Sequence, residues 1–186
     1  MEYRIGDWIQ TYRGERFYPF DPREEEIHIE DIVHALALTC RFNGHCRVFY
    51  SVAEHSVRVS QLCPPGQELA GLLHDAAEAY LADIPRPVKW GPGMEAYRRT
   101  ETALQAAINH RFGLPGAIPK AVRASDDLLL ATEARDLMGV QERGIYWTSL
   151  ADVQPLPERI EPWSWQEAEQ RFLGEFRELI GQRGAG

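Results

Sequence analysis

The chain has 186 residues, of which 44% are hydrophobic, and this is enough apolar material for one sizeable core. Its formal net charge is −8 at pH 7, so it lacks the basic stripe that a polymeric nucleic-acid partner would require. A small phosphorylated ligand is compatible with this charge, because a bound cation and a few arginine or lysine residues can reverse the sign inside a pocket.

The cysteine and hydropathy patterns favour a cytoplasmic protein. The three cysteines form no CxxC pair, which argues against a zinc knuckle and against a disulfide framework. The N-terminal segment lacks the apolar region of a signal peptide, and no run is long and apolar enough to span a bilayer. Prolines and glycines are dispersed along the chain, so we expect residues 1–186 to form a single domain without a linker.

The predicted elements begin with a short β-hairpin over about residues 8–18. Aromatic and β-branched residues flank a turn at Gly14, and Pro19 and Pro22 end the hairpin. From Ile29 onward the apolar period lengthens to that of helices. The fold class is therefore predicted to be all-α, a helical bundle with a small N-terminal β-hairpin.

The predicted helices are bounded by capping residues, prolines and glycines. Ser51 with Glu54, and Ser164 with Glu167, are typical of capping boxes that open a helix. After the first helix and a loop at 41–45, helices are expected from Ser51 to Pro64, from about Gln67 to Leu81, from Glu95 to Phe112, from Pro119 to Gly139 and over about 164–182.

Two histidines and two aspartates occur in the order His…His-Asp…Asp, and each is predicted to lie in a helix: His55, His74, Asp75 and Asp126. Imidazole nitrogen and carboxylate oxygen are good ligands for borderline divalent metals. Four protein ligands leave a coordination position open for water, and such an open position distinguishes a catalytic metal site from a structural one. The pattern predicts a site for one divalent metal ion.

The fourth ligand is a choice between Asp126 and Asp127. Asp126 lies four residues after Val122 and three before Leu129, on the apolar face of its helix, so it should point inward. Between Asp75 and Asp126 the only further histidine is His110, which argues against a two-metal site.

Glu78 is predicted to act beside the metal. On a continuous helix it would project from the same side as His74 and Asp75, where it could orient or deprotonate a metal-bound water. A metal lowers the pKa of such a water from about 15.7 toward roughly 7.

Further charges follow and precede this motif. Asp83, in a segment stiffened by Pro85 and Pro87, could supply a supporting hydrogen bond or protonate a leaving group. Lys89 and Arg41 are candidates for contacts to phosphate oxygens. His45, which follows the Arg41 loop, is a further candidate for substrate contact, whereas the histidines at 28 and 34 are expected to be structural.

At these residues the chain resembles the HD-domain phosphohydrolases, over roughly Glu30 to Gly139. The segments His74-Asp-Ala-Ala-Glu78 and Asp83-Ile-Pro-Arg-Pro-Val-Lys89 are similar to those of the HD-domain 5′-deoxynucleotidases. Cys40-Arg-Phe-Asn-Gly44 followed by Tyr50-Ser-Val-Ala-Glu-His55 is similar to small phage and bacterial members, which include dATP triphosphohydrolases and the oxetanocin-type nucleotide phosphohydrolase.

The resemblance implies an HD-domain bundle with a metal-site core over about 30–139 and one bound ion of Co, Mn, Zn, Fe or Mg. It implies that the four residues of the His…His-Asp…Asp pattern ligate the ion, that Glu78 and Asp83 handle protons, and that Arg41 and Lys89 hold phosphate. Phe42 stands where the deoxynucleotidases tend to carry a tryptophan against the sugar, and this departure affects the position that disfavours a 2′-hydroxyl in those enzymes. Family likeness also implies a homo-oligomer, for which Trp163 and Trp165 could serve an interface.

Three functions remain open at this point. The leading one is hydrolysis of a nucleotide, with deoxynucleotides favoured, by attack of a metal-bound hydroxide on phosphorus, as in a 5′-nucleotidase. The second is a dNTP triphosphohydrolase that releases triphosphate and uses a second Mg with its substrate. The third, from another class, is a non-catalytic regulatory module that binds metal or nucleotide.

Overall fold

The computed structural model describes residues 3–139, 147, 150 and 152–184. Within these ranges the chain is mostly helical, with one small antiparallel sheet near the N-terminus, which confirms the predicted class. The expectation of a single domain over 1–186 extends to residues outside the described ranges and stays a prediction. The helices are α1 (Ile29–Leu38), α2 (Val52–Leu62), α3 (Glu68–Leu72), α4 (Glu78–Leu81), α5 (Arg86–Lys89), α6 (Glu95–Arg111), α7 (Lys120–Leu137) and α8 (Trp165–Gly184).

The N-terminal hairpin pairs β1 (Ile9–Gln10) with β2 (Arg16–Phe17), with Ile9 opposite Phe17. Phe17 is fully buried and its ring stacks on Tyr80 of α4, at 4.0 Å between centroids. A two-residue pair of strands has little stability of its own. The hairpin is therefore held by the apolar contact that it makes with the helical body.

The core is built around α2, which packs against α1, α3, α7 and α8. Its largest cluster joins fully buried residues such as Ile32 of α1, Leu72 of α3 and Phe172 of α8. A smaller cluster of Val59, Val122 and Leu129 joins α2 to α7. Because α2 carries His55 and α7 carries Asp126, this packing brings two of the predicted ligands together.

Both predicted helix caps form, but the glutamates of the two boxes bond elsewhere. Ser51 Oγ accepts the backbone N–H of Glu54 at 3.0 Å. The Glu54 carboxylate accepts hydrogen bonds from the Arg58 guanidinium and from the backbone N–H of Trp163, which ties the segment before α8 to α2. Ser164 Oγ accepts the backbone N–H of Glu167 at 3.2 Å.

The predicted helix over 67–81 is wrong, because the structure divides it into α3 and α4 with a turn at residues 73–77 between them. His74 and Asp75 lie in this turn rather than in a helix. The side chain of Gln105, on α6, bonds both the carbonyl of Leu73 and the N–H of Ala77. Those are the groups that a continuous α-helix would have joined to each other.

Two other boundaries also differ from the predictions. The proline-containing segment predicted as a stiff loop contains the short helix α5, since prolines are tolerated in the first helical turn. Helix α7 ends at Leu137 rather than at Gly139. A helix able to cross a membrane is absent from the described ranges.

Trp163 and Trp165, considered as interface residues, are half-buried within the chain. Trp163 lies between the guanidinium groups of Arg58 and Arg171, at 4.5 and 4.2 Å from its ring centroid. Trp165 meets His34 edge to face. These contacts account for both rings, and the homo-oligomer stays a prediction.

Candidate metal centre

Two imidazole rings meet in the interior between α2 and the 73–77 turn. His55 is fully buried and His74 is nearly so, and their ring centroids are 5.3 Å apart. The Nδ1 of His55 donates to Glu133 Oε1 at 2.6 Å, and the Nδ1 of His74 donates to the carbonyl of Gly71 at 2.7 Å. With Nδ1 occupied in this way, each Nε2 is the free ligand atom, as in metal sites whose histidines are held by an acceptor behind them.

Two carboxylates face these nitrogens. Asp75 Oδ2 lies 3.2 Å from His74 Nε2 and 3.7 Å from His55 Nε2. Asp126 Oδ1 lies 3.3 Å from His55 Nε2 and 4.0 Å from His74 Nε2. Neither Nε2 has the alignment of a hydrogen bond, although both atoms are buried. The structure therefore places both predicted aspartates within 4.0 Å of the two imidazole Nε2 atoms, but Asp126 lies outside the group whose ligand atoms are all within 4.8 Å of one another.

The donor set fits a divalent cation. One ligand atom each from His55, His74 and Asp75 lies within 4.8 Å of the others, so this buried group could hold a metal ion. Two neutral imidazoles and two carboxylates would balance the charge of such an ion. Buried nitrogens without a partner are costly, and a cation between them would satisfy both.

The pKa shifts show how strongly this cluster attracts positive charge. Burial and Arg41 lower the pKa of His55, but Glu133 and Asp126 raise it more, to about 9. Burial raises the pKa of Asp126, but the two histidines lower it more, to about 2. Burial also raises the pKa of Asp75, but His74, His55 and Arg41 lower it more and hold it well below its usual range. The carboxylates of the cluster thus favour a positive charge between them and the imidazoles, and a divalent cation would supply one.

Asp126 and its neighbour Asp127 point to different places. Asp127 is more exposed, and its Oδ1 lies 3.9 Å from the guanidinium of Arg86. Arg86 also comes within 3.9 Å of Asp126 Oδ2, while its own side chain is 54% exposed. Asp126 thus faces the two imidazoles, whereas Asp127 faces Arg86. Arg86, a cation beside the cluster, was missed by the sequence reasoning although it lies between Asp83 and Lys89.

Glu133 is a second residue that the sequence reasoning missed. It is fully buried, and its carboxylate bonds both His55 Nδ1 and the guanidinium of Arg41, the latter at 3.2 Å. Burial would raise the pKa of Glu133, but Arg41 and His55 hold it below its usual range. A signal was present in the sequence: Glu133 follows Asp126 by seven residues and Leu129 by four, so a carboxylate stood on the buried face of α7.

Arg41, predicted to contact phosphate, is buried beside the cluster. Its NH1 lies 3.6 Å from Asp75 Oδ2, and its NH2 bonds Glu133. Its Nε has no hydrogen-bond partner among the described residues. The arginine is thus held by two carboxylates, and it links Asp75 to Glu133, the residue that bonds His55.

Glu78, predicted to act beside the metal, is buried at the start of α4. Burial, followed by the charges of Asp75 and Asp83, raises the pKa of Glu78 well above its ordinary value. Its Oε2 has no hydrogen-bond partner in the described chain, and its Oε1 lies 3.5 Å from Lys89 Nζ. Asp83 is half-buried, and burial raises its pKa as well. Both groups are biased toward the protonated acid.

Lys89, predicted to contact phosphate, is held on α5. Its Nζ donates to Glu101 Oε1 at 2.7 Å, and Tyr97 OH donates to the same oxygen. Burial lowers the pKa of Lys89, but Glu78 and Glu101 raise it more, so the ammonium is retained. The amine is positioned beside Glu78.

The loop residues Phe42 and His45 lie farther out. Phe42 has a positive φ of 55°, and its ring faces Trp147 at 6.0 Å between centroids and the Arg41 guanidinium at 5.1 Å. His45 is exposed, and its side chain makes no hydrogen bond, ion pair or ring contact in the described ranges. The structure therefore joins Phe42 to the arginine, but it does not join His45 to the site.

No protein-family model matches the chain. The chain is 38% identical over 174 residues to the "Uncharacterized protein YfdR" of Escherichia coli K12, an alignment that covers 92% of this chain and 95% of that protein. The chain belongs to the YfdR family. Another relative, the "Uncharacterized protein RCAP_rcc00048" of Rhodobacter capsulatus, is 39% identical over 148 residues, which are 73% of this chain and 75% of that protein.

The alignment with YfdR covers 92% of this chain, so it includes most of the stretch from Arg41 to Glu133. The similarity to YfdR therefore extends over the part of the chain that contains the candidate site and is not confined to a peripheral segment.

Proposed function

We propose that this chain is a metal-dependent phosphohydrolase of the HD-domain type that acts on nucleotides, with deoxynucleotides preferred. The observation that carries the proposal is the convergence of His55, His74, Asp75 and Asp126, beside the buried acid Glu78. Perturbed titratable groups packed against a metal-ligand set are typical of catalytic sites rather than of structural ones.

In this proposal the four convergent residues hold one divalent ion of Co, Mn, Zn, Fe or Mg. When bound, such an ion polarises a phosphoryl oxygen and lowers the pKa of coordinated water toward roughly 7. Glu133 and the Gly71 carbonyl keep the two imidazoles in the ligating tautomer.

Glu78 and Asp83 serve as proton carriers. Burial raises the pKa of Glu78, which favours the protonated form of its carboxyl group. The oxygen without a hydrogen-bond partner, Oε2, can give that proton to a leaving oxygen. Lys89, at 3.5 Å from the other oxygen, stabilises the carboxylate that remains.

Three cations lie within 4 Å of carboxylates of this cluster and offer contacts to phosphate. Arg41 lies 3.6 Å from Asp75, Lys89 lies 3.5 Å from Glu78, and Arg86 lies 3.9 Å from Asp126. They supply the local positive charge that an acidic chain needs to bind an anion. Phe42, held against the Arg41 guanidinium, offers an aromatic face to a sugar or base.

A triphosphohydrolase is the second candidate. Arg86 favours it, because its exposed guanidinium could reach phosphates beyond the one at the metal. Such a substrate would bring a second Mg with it. Cleavage at the α-phosphorus would release triphosphate, whereas a monophosphatase would release a nucleoside and phosphate.

Product analysis separates these candidates. The protein, loaded in turn with Co, Mn, Zn, Fe or Mg, is incubated with dAMP, dATP and ATP, and the products are resolved by chromatography. Phosphate from dAMP supports the monophosphatase, and triphosphate from dATP supports the second candidate. Metal binding without turnover of any nucleotide would reject both and would favour a non-catalytic regulatory module. Asp126→Asn and Asp127→Asn are the matched pair of controls, since only the first removes a proposed ligand.

A further inference from the structure

Gln105 inserts its side chain into the backbone of the 73–77 turn. Its Nε2 donates to the carbonyl of Leu73 at 2.8 Å, and its Oε1 accepts the N–H of Ala77 at 3.1 Å. Leu73 and Ala77 are four residues apart, so in an α-helix this carbonyl and this N–H would bond each other. The amide donates one of its two N–H groups to the carbonyl and accepts the backbone N–H at its oxygen, so it replaces that single helical bond with two.

The insertion keeps residues 73–77 out of an α-helix. The stretch instead shows bonds between residues three apart, from Ala76 N to Leu73 O and from Glu78 N to Asp75 O. Adjacent residues on an α-helix diverge by about 100° around the axis. In this turn, however, His74 Nε2 and Asp75 Oδ2 approach to 3.2 Å. The departure from the helix thus lets two adjacent side chains aim at one point.

The orientation of the Gln105 amide is itself determined by its neighbours. Its Nε2 also donates to Asn109 Oδ1 at 2.9 Å, and Asn109 Nδ2 donates to the carbonyl of Pro115 at 3.1 Å. Both side chains are buried, so neither amide can exchange its partners for water at low cost. The chain of bonds runs from the loop after α6 to the turn that carries two metal ligands.

We infer that Gln105 is a positioning residue that holds His74 and Asp75 in metal-binding geometry, an inference that rests on the proposed metal site. It touches neither the proposed ion nor the substrate. A residue that merely filled the core would affect stability, whereas a positioning residue would also change metal affinity and ligand geometry.

The test replaces Gln105 with methionine, which has similar length but can neither donate nor accept the two bonds. Ser60→Ala is the matched control, because Ser60 is also buried and its Oγ donates to a backbone carbonyl, that of Glu68, which does not belong to the 73–77 turn. Titration of each metal-free protein with Co²⁺ gives the affinity by calorimetry and the ligand geometry by the visible absorption spectrum. Thermal unfolding of the metal-free samples monitors stability.

We expect Gln105→Met to weaken Co²⁺ binding by roughly 10–100-fold and to alter the spectrum, as removal of an outer support of a metal ligand does. Ser60→Ala should lower stability and leave affinity and spectrum unchanged. Wild-type affinity and spectrum in Gln105→Met would overturn the inference, and so would an equal loss of affinity in both variants.

A second measurement does not depend on a variant that folds. In the unaltered chain, both side-chain amide protons of Gln105 should exchange slowly with solvent and should shift on addition of Zn²⁺. Rapid exchange, or no shift on saturation, would overturn the inference. If Gln105→Met weakens Co²⁺ binding but the unaltered protein hydrolyses no nucleotide, the proposed activity is wrong and the inference about Gln105 stands. A protein that binds no divalent ion would reject both.

Discussion

His55 donates its Nδ1–H to the Glu133 carboxylate over 2.6 Å, and both side chains are completely buried. The bond joins α2 to α7, and it leaves His55 Nε2 facing Asp75 and Asp126. The ring is therefore oriented by a negative charge behind it, an arrangement that increases the basicity of a ligating imidazole.

Glu133→Gln should test this orientation. The amide preserves shape but removes the charge, so we expect metal affinity to fall by roughly 10–100-fold. Calorimetric titration with Mn²⁺ or Co²⁺ measures the change. An affinity equal to that of the unaltered protein would show that the Glu133 charge is irrelevant to the site.

Asp126→Asn and Asp127→Asn test which carboxylate is the fourth ligand. Asp126 lies within 4.0 Å of both imidazole Nε2 atoms, whereas Asp127 faces Arg86. We expect Asp126→Asn to lose bound metal and activity together, and Asp127→Asn to keep both. Elemental analysis and kinetics on the same samples decide, and the reverse pattern would move the ligand to Asp127.

Glu78→Gln should separate proton transfer from metal binding. The substitution keeps a neutral side chain of the same size, so the ion should be retained. Turnover should fall by roughly 10²–10⁴-fold, the usual contribution of a positioned general acid. The KM should change less than kcat. A metal-loaded variant with full activity would rule out the acid role, and a metal-free variant would make Glu78 a ligand.

Arg41→Ala should affect folding as well as substrate binding, a consequence that the sequence did not reveal. Arg41 and Glu133 are a buried pair, and removal of one partner leaves an uncompensated charge. We expect the free energy of unfolding to fall by roughly 3–5 kcal/mol. Arg86→Ala, which removes an exposed cation, should change it by about 0.5 kcal/mol or less.

Urea unfolding measures the free energy of unfolding of Arg41→Ala and of Arg86→Ala. Glu133→Gln added to Arg41→Ala should restore part of the lost stability, because it removes the unpaired charge. If the single variant Arg41→Ala were as stable as Arg86→Ala, the ion pair between Arg41 and Glu133 would not contribute to stability.

Glu54 should make stability depend on pH. It is fully buried, and burial raises its pKa to about 7 from an ordinary value of 4.5, against the opposing effects of Trp163 N–H and Arg58. The folded state therefore binds the Glu54 proton more tightly than the unfolded state does. The resulting stabilisation is present at low pH and is lost as pH rises from about 4.5 to about 7.

The comparison is with Glu54→Gln, whose side chain cannot ionise. Relative to that variant, the unfolding free energy of the unaltered protein should decrease by roughly 3 kcal/mol across this interval and level off above it. Urea unfolding between pH 4 and pH 8 provides the measurement. A difference that does not vary with pH would show that folding leaves the pKa of Glu54 unchanged.

Local patterns in the sequence determined the helical class, the caps at Ser51 and Ser164, and the candidate ligands. A cap depends on residues three positions apart, and the inward direction of Asp126 depends on its spacing from Val122 and Leu129. Such relations lie within one element, so they can be read without knowledge of which elements pack together.

Only the tertiary structure decided how the ligands converge. The 67–81 segment has a helical pattern, but the amide of Gln105, which bonds Leu73 and Ala77 from α6, interrupts the helix at His74 and Asp75. Glu133 meets Arg41 across 92 positions of the chain. These are non-local hydrogen bonds whose partners are chosen by helix packing, and a local periodicity contains no information about them.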